Sequence, residues 1–283
     1  MVVSRWTRLA TLAGVFMLVA PHGANAVAAP PPAPPSLAYA DLVDLTDSST
    51  LVVRAQIRDA ILVPAKRAPD VKPGFARIYV EATPTEVLRG TVPSGLTELH
   101  YLADVPLGPK GKLPPYKKLQ VLIYARPVRG SADVQLVAPD AQIVWSADLD
   151  ARTRSLIAEL SAPDAPPRVT GVTQALYEQG NLVGEGETQL FLSTATGQPA
   201  TITVQHRPNR PTNWSVSFSE VVNPNGRPPS PDTLTWFRLA CGLPRAMPSG
   251  INVSDNNDDR IQAEVDYSNV LHDLGPCERM RGH

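Results

Sequence analysis

The sequence predicts an α+β fold of two mainly antiparallel β units, each with a packed helix. Most apolar segments are short, and several alternate apolar with polar residues, which is the period of a half-buried β-strand. Few segments have the apolar spacing of a helix. Beyond residue 36, prolines stand between these segments and therefore mark loops. A proline-rich stretch at 162–167 divides a first block, residues 37–165, from a second block, residues 166–283.

The beginning of the chain has the pattern of an export signal. An apolar run at 9–20 follows two arginines, and the small residues Ala24 and Ala26 occupy the positions that signal peptidase recognises. A run of about twelve apolar residues is too short to span a membrane. The sequence therefore predicts a signal peptide at 1–26 and a semi-rigid, proline-rich spacer at 27–36.

The expected destination is the periplasm or the external medium. A lipid anchor is not expected, because the first cysteine of the chain is Cys241. No later segment approaches a run of about eighteen apolar residues, so no second membrane segment is expected. Because these compartments permit disulfides, we expect a bond between Cys241 and Cys277. Free thiols and an intermolecular bond are the alternatives.

The charge balance argues against a nucleic-acid partner. The chain has 26 basic and 27 acidic residues. Removing Arg5 and Arg8 with the leader leaves 24 against 27, which is a net charge of −3. A mildly acidic protein lacks the positive field that attracts nucleic acid.

The first block is predicted to contain six strands between two helices. A helix is expected at 37–47, and Asp148 is expected to cap a second one whose apolar stripe includes Leu149 and Leu156. The clearest strand alternation lies at 75–86. The predicted strands are 51–57, 75–86, 96–102, 119–125, 134–137 and 142–145.

The second block is predicted to contain a hairpin, a third strand and a helix. Ser230, with Pro231 at the first helical position, is expected to open a helix that Gly242 ends. Cys241 would lie in its last turn, so a bond to Cys277 would fasten the C-terminal tail across it. The predicted strands are 188–193 and 201–206, which form the hairpin, and 213–222.

The strand pattern of the first block resembles secreted OB-type barrels of the netrin and metalloprotease-inhibitor kind. That resemblance implies an OB-like barrel and, as one alternative function, protease inhibition. In that family a cysteine at the mature N-terminus reaches the protease zinc, whereas the expected N-terminus here is Val27, so inhibition by that mechanism is not expected. The resemblance rests on Leu51-Val52-Val53-Arg54-Ala55, Tyr79-Val80-Glu81, Val87-Leu88-Arg89-Gly90 and Leu119-Gln120-Val121-Leu122-Ile123-Tyr124.

Two further segments resemble uncharacterised exported proteins of Gram-negative, sphingomonad-type bacteria. This likeness implies a compartment and no activity. The segments are Gly184-Glu185-Gly186-Glu187-Thr188-Gln189 and Trp236-Phe237-Arg238-Leu239-Ala240-Cys241-Gly242-Leu243-Pro244.

One acidic stretch has part of the spacing of a calcium loop. Asp255, Asn257 and Asp259 alternate like the first ligands of such a loop, and Asp266 stands at its twelfth position. The turn glycine is absent, because Arg260 occupies the sixth position. The alternative is a solvated polar loop, and we predict no metal or cofactor.

The hydrolase alternative rests on three residues. No Gly-x-Ser-x-Gly or His-Glu-x-x-His motif is present, so a catalytic site would have to be assembled from distant residues. The candidates are His206 and the pair Glu185 and Glu187, which could supply acid–base groups. Each also has a structural interpretation, His206 as a half-buried strand residue and the two acids on a solvent face.

Two basic stretches complete the candidates. The first surrounds Pro114 and could touch a ligand strand in an OB-type barrel, or could be a solvated loop. The second could attract an anionic envelope component, or could be a proline-stiffened turn. The first stretch contains Lys110, Lys112, Lys117 and Lys118. The second contains Arg207 and Arg210.

The leading hypothesis from the sequence is a non-enzymatic envelope protein. It would bind another protein, a peptide or a surface glycan through loops and sheet edges. This hypothesis follows from well-marked structural elements without a cluster of reactive groups.

Overall fold

The computed structural model describes Met1 and residues 37–92, 97–219 and 226–281. All but the first residue of the predicted signal peptide, and the whole of the predicted spacer, lie outside the described residues. The packed body is α+β, as predicted, with four α-helices and two antiparallel sheets in the described residues. The elements are α1 (Tyr39–Ser48), β1 (Leu51–Leu62), β2 (Phe75–Arg89), β3 (Leu99–Pro106), β4 (Gln120–Pro127), β5 (Val134–Leu136), β6 (Gln142–Val144), α2 (Ala147–Ser161), β7 (Val169–Gln179), β8 (Gly186–Thr194), β9 (Ala200–His206), β10 (Asn213–Ser217), α3 (Leu234–Ala240) and α4 (Asn257–Leu274).

The first sheet has the strand order β3-β2-β1-β4-β5, and β6 also pairs with β4. The predicted alternation of β2 is confirmed, since Ile78, Val80 and Ala82 are fully buried on one face. Gly90 follows β2 with a φ of +80°, and a β-carbon there would collide with the carbonyl oxygen of Thr50. This position therefore requires glycine where the chain leaves the strand.

The two edges of this sheet approach one another without forming a ladder. The His100 N–H donates to the Ala132 carbonyl at 3.2 Å, and the Asp104 N–H donates to the Pro139 carbonyl at 2.7 Å. A single bridge pairs His100 with Asp133. The described strands thus form an open sheet with two cross-links between its edges, and no closed barrel is present in them.

The second sheet has the strand order β10-β9-β8-β7. The predicted hairpin of β8 and β9 is present, with Thr188 opposite Val204. Strand β7 was not predicted, because register shifts between Val169 and Gly171 and between Val172 and Gln174 interrupt its alternation. Bulges of this kind move successive side chains off the period that sequence patterns use.

The helices pack into a core to which both blocks contribute. Leu42 of α1, Tyr124 of β4, Leu190 of β8 and Trp236 of α3 belong to one buried cluster. A second cluster, which includes Val53 of β1, packs on one face of the first sheet. The described residues from 37 to 281 accordingly pack as one compact unit, and the predicted boundary at 165/166 falls between the two sheets.

Two predicted helix starts are wrong by a few residues. Ser146, rather than Asp148, caps α2, because its hydroxyl accepts a bond from the Leu149 N–H at 3.2 Å. Helix α3 begins after Thr233 instead of Ser230. Asp232 has a φ of +58°, which a right-handed helix excludes.

The predicted disulfide is confirmed. Cys241 and Cys277 are bonded, with a Cα–Cα distance of 5.2 Å, and Cys241 is the C-cap residue of α3. Within the described part of the chain, none of the helices is long and apolar enough to cross a membrane.

Candidate functional site

A groove lies on the outer face of β2 and β3, and we call it the β3–β5 groove. It has a volume of about 630 Å³, within the usual range for ligand sites. The outer face of β2 and β3 forms its floor, and the segment 133–139 forms one wall.

The strand period positions the floor of the groove. Alternate residues of β3 are buried beneath the sheet, so His100, Leu102 and Asp104 point outward. Leu102 is 51% exposed, although it is a large apolar side chain in the middle of a strand. Arg77 and Tyr79 point outward from the neighbouring strand β2. The groove thus combines exposed apolar surface with charged and aromatic groups.

An ion pair of fixed geometry closes one end of the floor. The Arg77 guanidinium donates to both carboxylate oxygens of Asp104, at 2.7 and 2.8 Å, and to both oxygens of Asp70, at 3.0 Å each. Hydrogen bonds to Asp104 and Asp70 raise the pKa of Arg77 above its ordinary value. Because the fork of the guanidinium is used by two carboxylates, its orientation is set.

Two rings form the middle of the floor. The rings of Tyr79 and His100 lie 5.9 Å apart with an interplanar angle of 35°. Burial raises the pKa of Tyr79, and nearby acids add to this effect. The His100 Nε2 and Nδ1 atoms lie 3.7 Å from Glu98 and Asp133 carboxylate oxygens, respectively. The result is a pair of tilted aromatic rings bordered by hydrogen-bonding groups.

The backbone of β3 is also accessible in the groove. The N–H groups of His100 and Asp104 point away from β2, toward the segment 132–139. By the alternation of an antiparallel ladder, the N–H and C=O of Leu102 point the same way. The backbone groups of Leu102 therefore face the segment 132–139, between the bonds made by His100 and Asp104.

The hydrolase candidates lie at the second sheet. Glu185, Glu187 and His206 line one cavity of about 410 Å³, so the structure brings the predicted pair of acids together with the histidine of another strand. Glu187 accepts hydrogen bonds from Gln189 and Gln205 side chains, at 2.8 and 3.3 Å. Both of its carboxylate oxygens are thus engaged.

His206 is held by a buried acid that sequence patterns assigned to calcium. Its Nε2 lies 2.9 and 3.0 Å from the two carboxylate oxygens of Asp266, which is fully buried on α4. Thr188 and Gln262 also donate to this carboxylate. On the other side of the ring, Nδ1 lies 3.4 Å from the Thr212 hydroxyl. An acid, a histidine and a hydroxyl therefore form one chain of contacts.

The calcium-loop candidates do not come together. Asn257 and Asp259 are in the first turn of α4, and Asp255 is exposed before it. Asp266 lies nine residues further along the same helix, which places it about 13 Å from Asn257 along the axis. Calcium ligands lie about 2.4 Å from the ion, so one ion cannot reach both ends. Among the described residues, no group of three or more acids, histidines or cysteines is arranged for a metal.

The lysines of the long loop do not contribute to the β3–β5 groove. Lys117 and Lys118 line a separate cavity of about 300 Å³ beside β1, and Lys110 and Lys112 are exposed. The Lys118 N–H donates to the Ile57 carbonyl at 2.8 Å, so this end of the loop continues the sheet.

Sequence patterns missed the groove itself. The alternation of β2 was the only sequence signal for the groove, because it placed Arg77 and Tyr79 on the face opposite to the core. Comparison with known proteins finds no family profile and no curated sequence that matches the chain.

Proposed function

We propose that this protein is an exported, non-enzymatic binding protein, and that its β3–β5 groove holds a glycan of the bacterial envelope. The leader pattern and the single disulfide support the periplasm or the medium as its location. The observation that carries the proposed function is the composition of the groove floor, in which a ring pair lies among fixed hydrogen-bonding groups.

This composition suits a sugar ring. The weakly polar C–H face of a sugar packs against an aromatic surface such as Tyr79 and His100, and Leu102 extends the apolar contact. Its hydroxyls both donate and accept, so they need groups of both kinds at the border. Asp104 and Asp133 accept there, and Arg77 donates. A purely apolar ligand would displace water from these charged groups without replacing the hydrogen bonds of that water.

The closed ends of the groove favour a glycan over a peptide strand. Strand addition needs a continuous edge of unpaired backbone groups. Here the backbone bonds of His100 and Asp104 cross the opening at both ends, about 13 Å apart for four strand residues. One or two sugar units fit between these bonds, whereas an extended peptide would have to break them.

The location of the groove gives further support. In OB-type barrels, the face of strands 2 and 3 is the surface that binds oligonucleotides and oligosaccharides. The resemblance of the first block to such barrels therefore directs attention to β2 and β3. The net charge of −3 disfavours the oligonucleotide and leaves the oligosaccharide.

The test is a binding measurement with purified polysaccharides. The secreted chain is incubated with peptidoglycan and with lipopolysaccharide-derived oligosaccharides, and the bound fraction is measured. We expect the double variant Tyr79→Ala, Leu102→Ala to lose about tenfold or more in affinity, because each lost ring or apolar contact costs about 1 kcal/mol. The control is Leu182→Ala, Val183→Ala, which removes two exposed apolar side chains outside the groove.

Retention of wild-type affinity by the groove variant would exclude the groove as the site. Failure of every envelope polysaccharide to bind the wild-type chain would exclude the proposed function.

A hydrolase is the second candidate, favoured by the contacts among Asp266, His206 and Thr212. In such a site the acid orients the histidine, and the histidine accepts the hydroxyl proton. Ester substrates would then be cleaved by the wild-type chain and by Thr212→Ser, and not by Thr212→Val. Equal rates for the two variants would exclude this candidate. The protease-inhibitor alternative has no contact in the described residues that favours it.

A further inference from the structure

The turn between β9 and β10 holds two arginines close together. The Arg210 N–H donates to the Arg207 carbonyl at 3.1 Å, and Asn209 has a φ of +56°. Proline at the second position and a positive φ at the third are typical of a type II turn, whose ends are less than about 7 Å apart. The two guanidinium groups therefore start from neighbouring points on a stiff piece of backbone.

A third arginine joins them at a cavity of about 370 Å³, which we call the arginine cavity. Arg207, Arg210 and Arg227 line it together with Thr212 and Asn213. The Asn213 side-chain amide donates to the carbonyl of Gly226 at 3.0 Å, and this bond ties the residue before Arg227 to the start of β10. Residues from two separate segments thus face one concave surface.

Within the described residues, no ion pair balances the charge of the arginine cavity. In the described parts of the chain, none of the three arginines forms an ion pair, and Arg207 donates only to the neutral amide oxygen of Gln205, at 3.2 Å. Like charges held this close repel one another. The arrangement is therefore stabilised by any anion that enters.

A second arginine-lined cavity shows the contrast. Near α1 and α3, a cavity of about 250 Å³ is also lined by three arginines. Each of these has a partner within the chain, since Arg168 and Arg238 pair with Asp47 and Arg279 pairs with Asp44. Among the described residues, acids thus pair with the arginines of that cavity and with none of the three in the arginine cavity, although Arg207 also borders the cavity lined by Glu185 and Glu187.

We propose that the arginine cavity binds a phosphate group. Guanidinium forks match the oxygen pairs of phosphate, and several of them can share a dianion. The hydroxyl of Thr212 and the backbone of the turn add neutral hydrogen-bonding groups, whose bonds are weaker than those of the guanidinium groups. The phosphate could belong to a free phosphate ester or to a lipid headgroup. The proposal does not depend on glycan binding by the β3–β5 groove, which lies on the other sheet.

The test compares two triple variants with the same change in net charge. Arg207→Gln, Arg210→Gln, Arg227→Gln empties the cavity of charge. Binding of pyrophosphate and of glycerol phosphate is measured by calorimetry, and binding to vesicles of anionic phospholipid is measured by sedimentation, with phosphatidylcholine vesicles as the blank. The matched control neutralises exposed arginines elsewhere: Arg67→Gln, Arg129→Gln, Arg245→Gln.

We expect the cavity variant to lose more than about tenfold in affinity, because charge-assisted bonds are the strong ones, and the control to stay within about twofold. Circular dichroism and thermal unfolding check that both variants are folded. Binding of the soluble phosphates assigns the site to a free phosphate compound, and binding of anionic vesicles alone assigns it to a headgroup. Equal loss in both triple variants, or no binding of any probe by the wild-type chain, would overturn the proposal.

Discussion

At the scale of single residues, the most constrained polar group is Asp266. Its carboxylate is fully buried and accepts bonds from Thr188, His206 and Gln262. A buried acid without partners would be costly, so these contacts explain how α4 tolerates it against the second sheet. The same residue looked like a calcium ligand from its spacing, because spacing does not show which side of a helix faces the core.

We expect Asp266→Ala to lower the free energy of unfolding by about 3 kcal/mol, because it leaves the buried Thr188 hydroxyl and the His206 ring without their partner. Asp255→Ala, at an exposed position before the same helix, should change it by less than about 0.5 kcal/mol. Urea unfolding monitored by circular dichroism measures both. Similar losses for the two variants would contradict the structural role of Asp266.

Buried tyrosines predict how stability depends on high pH. Burial raises the pKa of Tyr124 to about 12 and that of Tyr267 to about 12, from an ordinary value of 10.0. The folded state therefore keeps protons that the unfolded chain has lost, and stability that is complete below pH 10 falls between pH 10 and 12.

The expected result is a urea midpoint that decreases from pH 9 to pH 11, and decreases less steeply in Tyr124→Phe. That variant removes one titrating group, while Thr153 keeps its bond to the Leu149 carbonyl. The unfolding curves at three pH values give the slope. The same slope in both proteins would show that Tyr124 does not contribute.

At the scale of elements, the N-terminal helix is held from two directions. Asp47 of α1 pairs with Arg238 of α3, which is only 6% exposed and also donates to the Pro166 carbonyl. Burial alone would raise the pKa of Asp47, but the bonds and charges of Arg238 and Arg168 outweigh it and lower that pKa. This contribution to stability is present above pH 3.8 and is lost as the pH falls further.

The C-terminal tail holds α1 from the other direction. The backbone N–H of Met280 donates to the Asp41 carboxylate at 2.8 Å, and Arg279 pairs with Asp44. The disulfide between Cys241 and Cys277 places the tail where these bonds form. Contacts between the two ends of the described body thus depend on one covalent link.

We expect Cys241→Ser, Cys277→Ser to lower the free energy of unfolding by about 3 to 4 kcal/mol, the loop-closure value for a separation of 36 residues. Urea unfolding measures the loss, and hydrogen exchange should rise in residues 276–281 and in α1. Unchanged exchange in α1 would show that the tail does not depend on the bond.

At the scale of the whole molecule, one core joins the two predicted blocks. Residues of α1 and β4 from the first block pack in the same cluster as residues of β8 and α3 from the second. The proline-rich stretch at 162–167 therefore separates two sheets that share an interior. If one sheet unfolds, the apolar residues of the other sheet that pack against it become exposed to water.

This shared core predicts cooperative unfolding of the body. The free energies of opening for the central strands β4 and β8, measured by native-state hydrogen exchange, should agree within about 1 kcal/mol. Leu42→Ala, at a fully buried position of α1, should lower both by about 3 kcal/mol, and Leu62→Ala, at an exposed position, should lower neither. A loss confined to β4 would mean that the blocks unfold separately.

Much of the local structure could be predicted because it depends on local patterns. The alternation around Ile78 and Val80 predicts a strand with one buried face, and the two cysteines predict their own bond. Strand β7 escaped prediction because its bulges break that period. The start of α3 was not predicted correctly, because the positive φ of Asp232 is set by the surrounding loop and not by residue type.

The sequence by itself determined most of the strands, the α+β class and the disulfide. Periodicity and turn residues act over short distances, and two cysteines leave one intramolecular pairing. It did not determine β7 or α4. Only the tertiary structure decided the sites. The β3–β5 groove needs His100 beside Asp133, and His206 meets an acid 60 residues away on α4. Contacts between such distant residues depend on which strands pair and which helix faces cover them. The strand pairing and the helix placement follow from the packing of the whole chain rather than from any single segment.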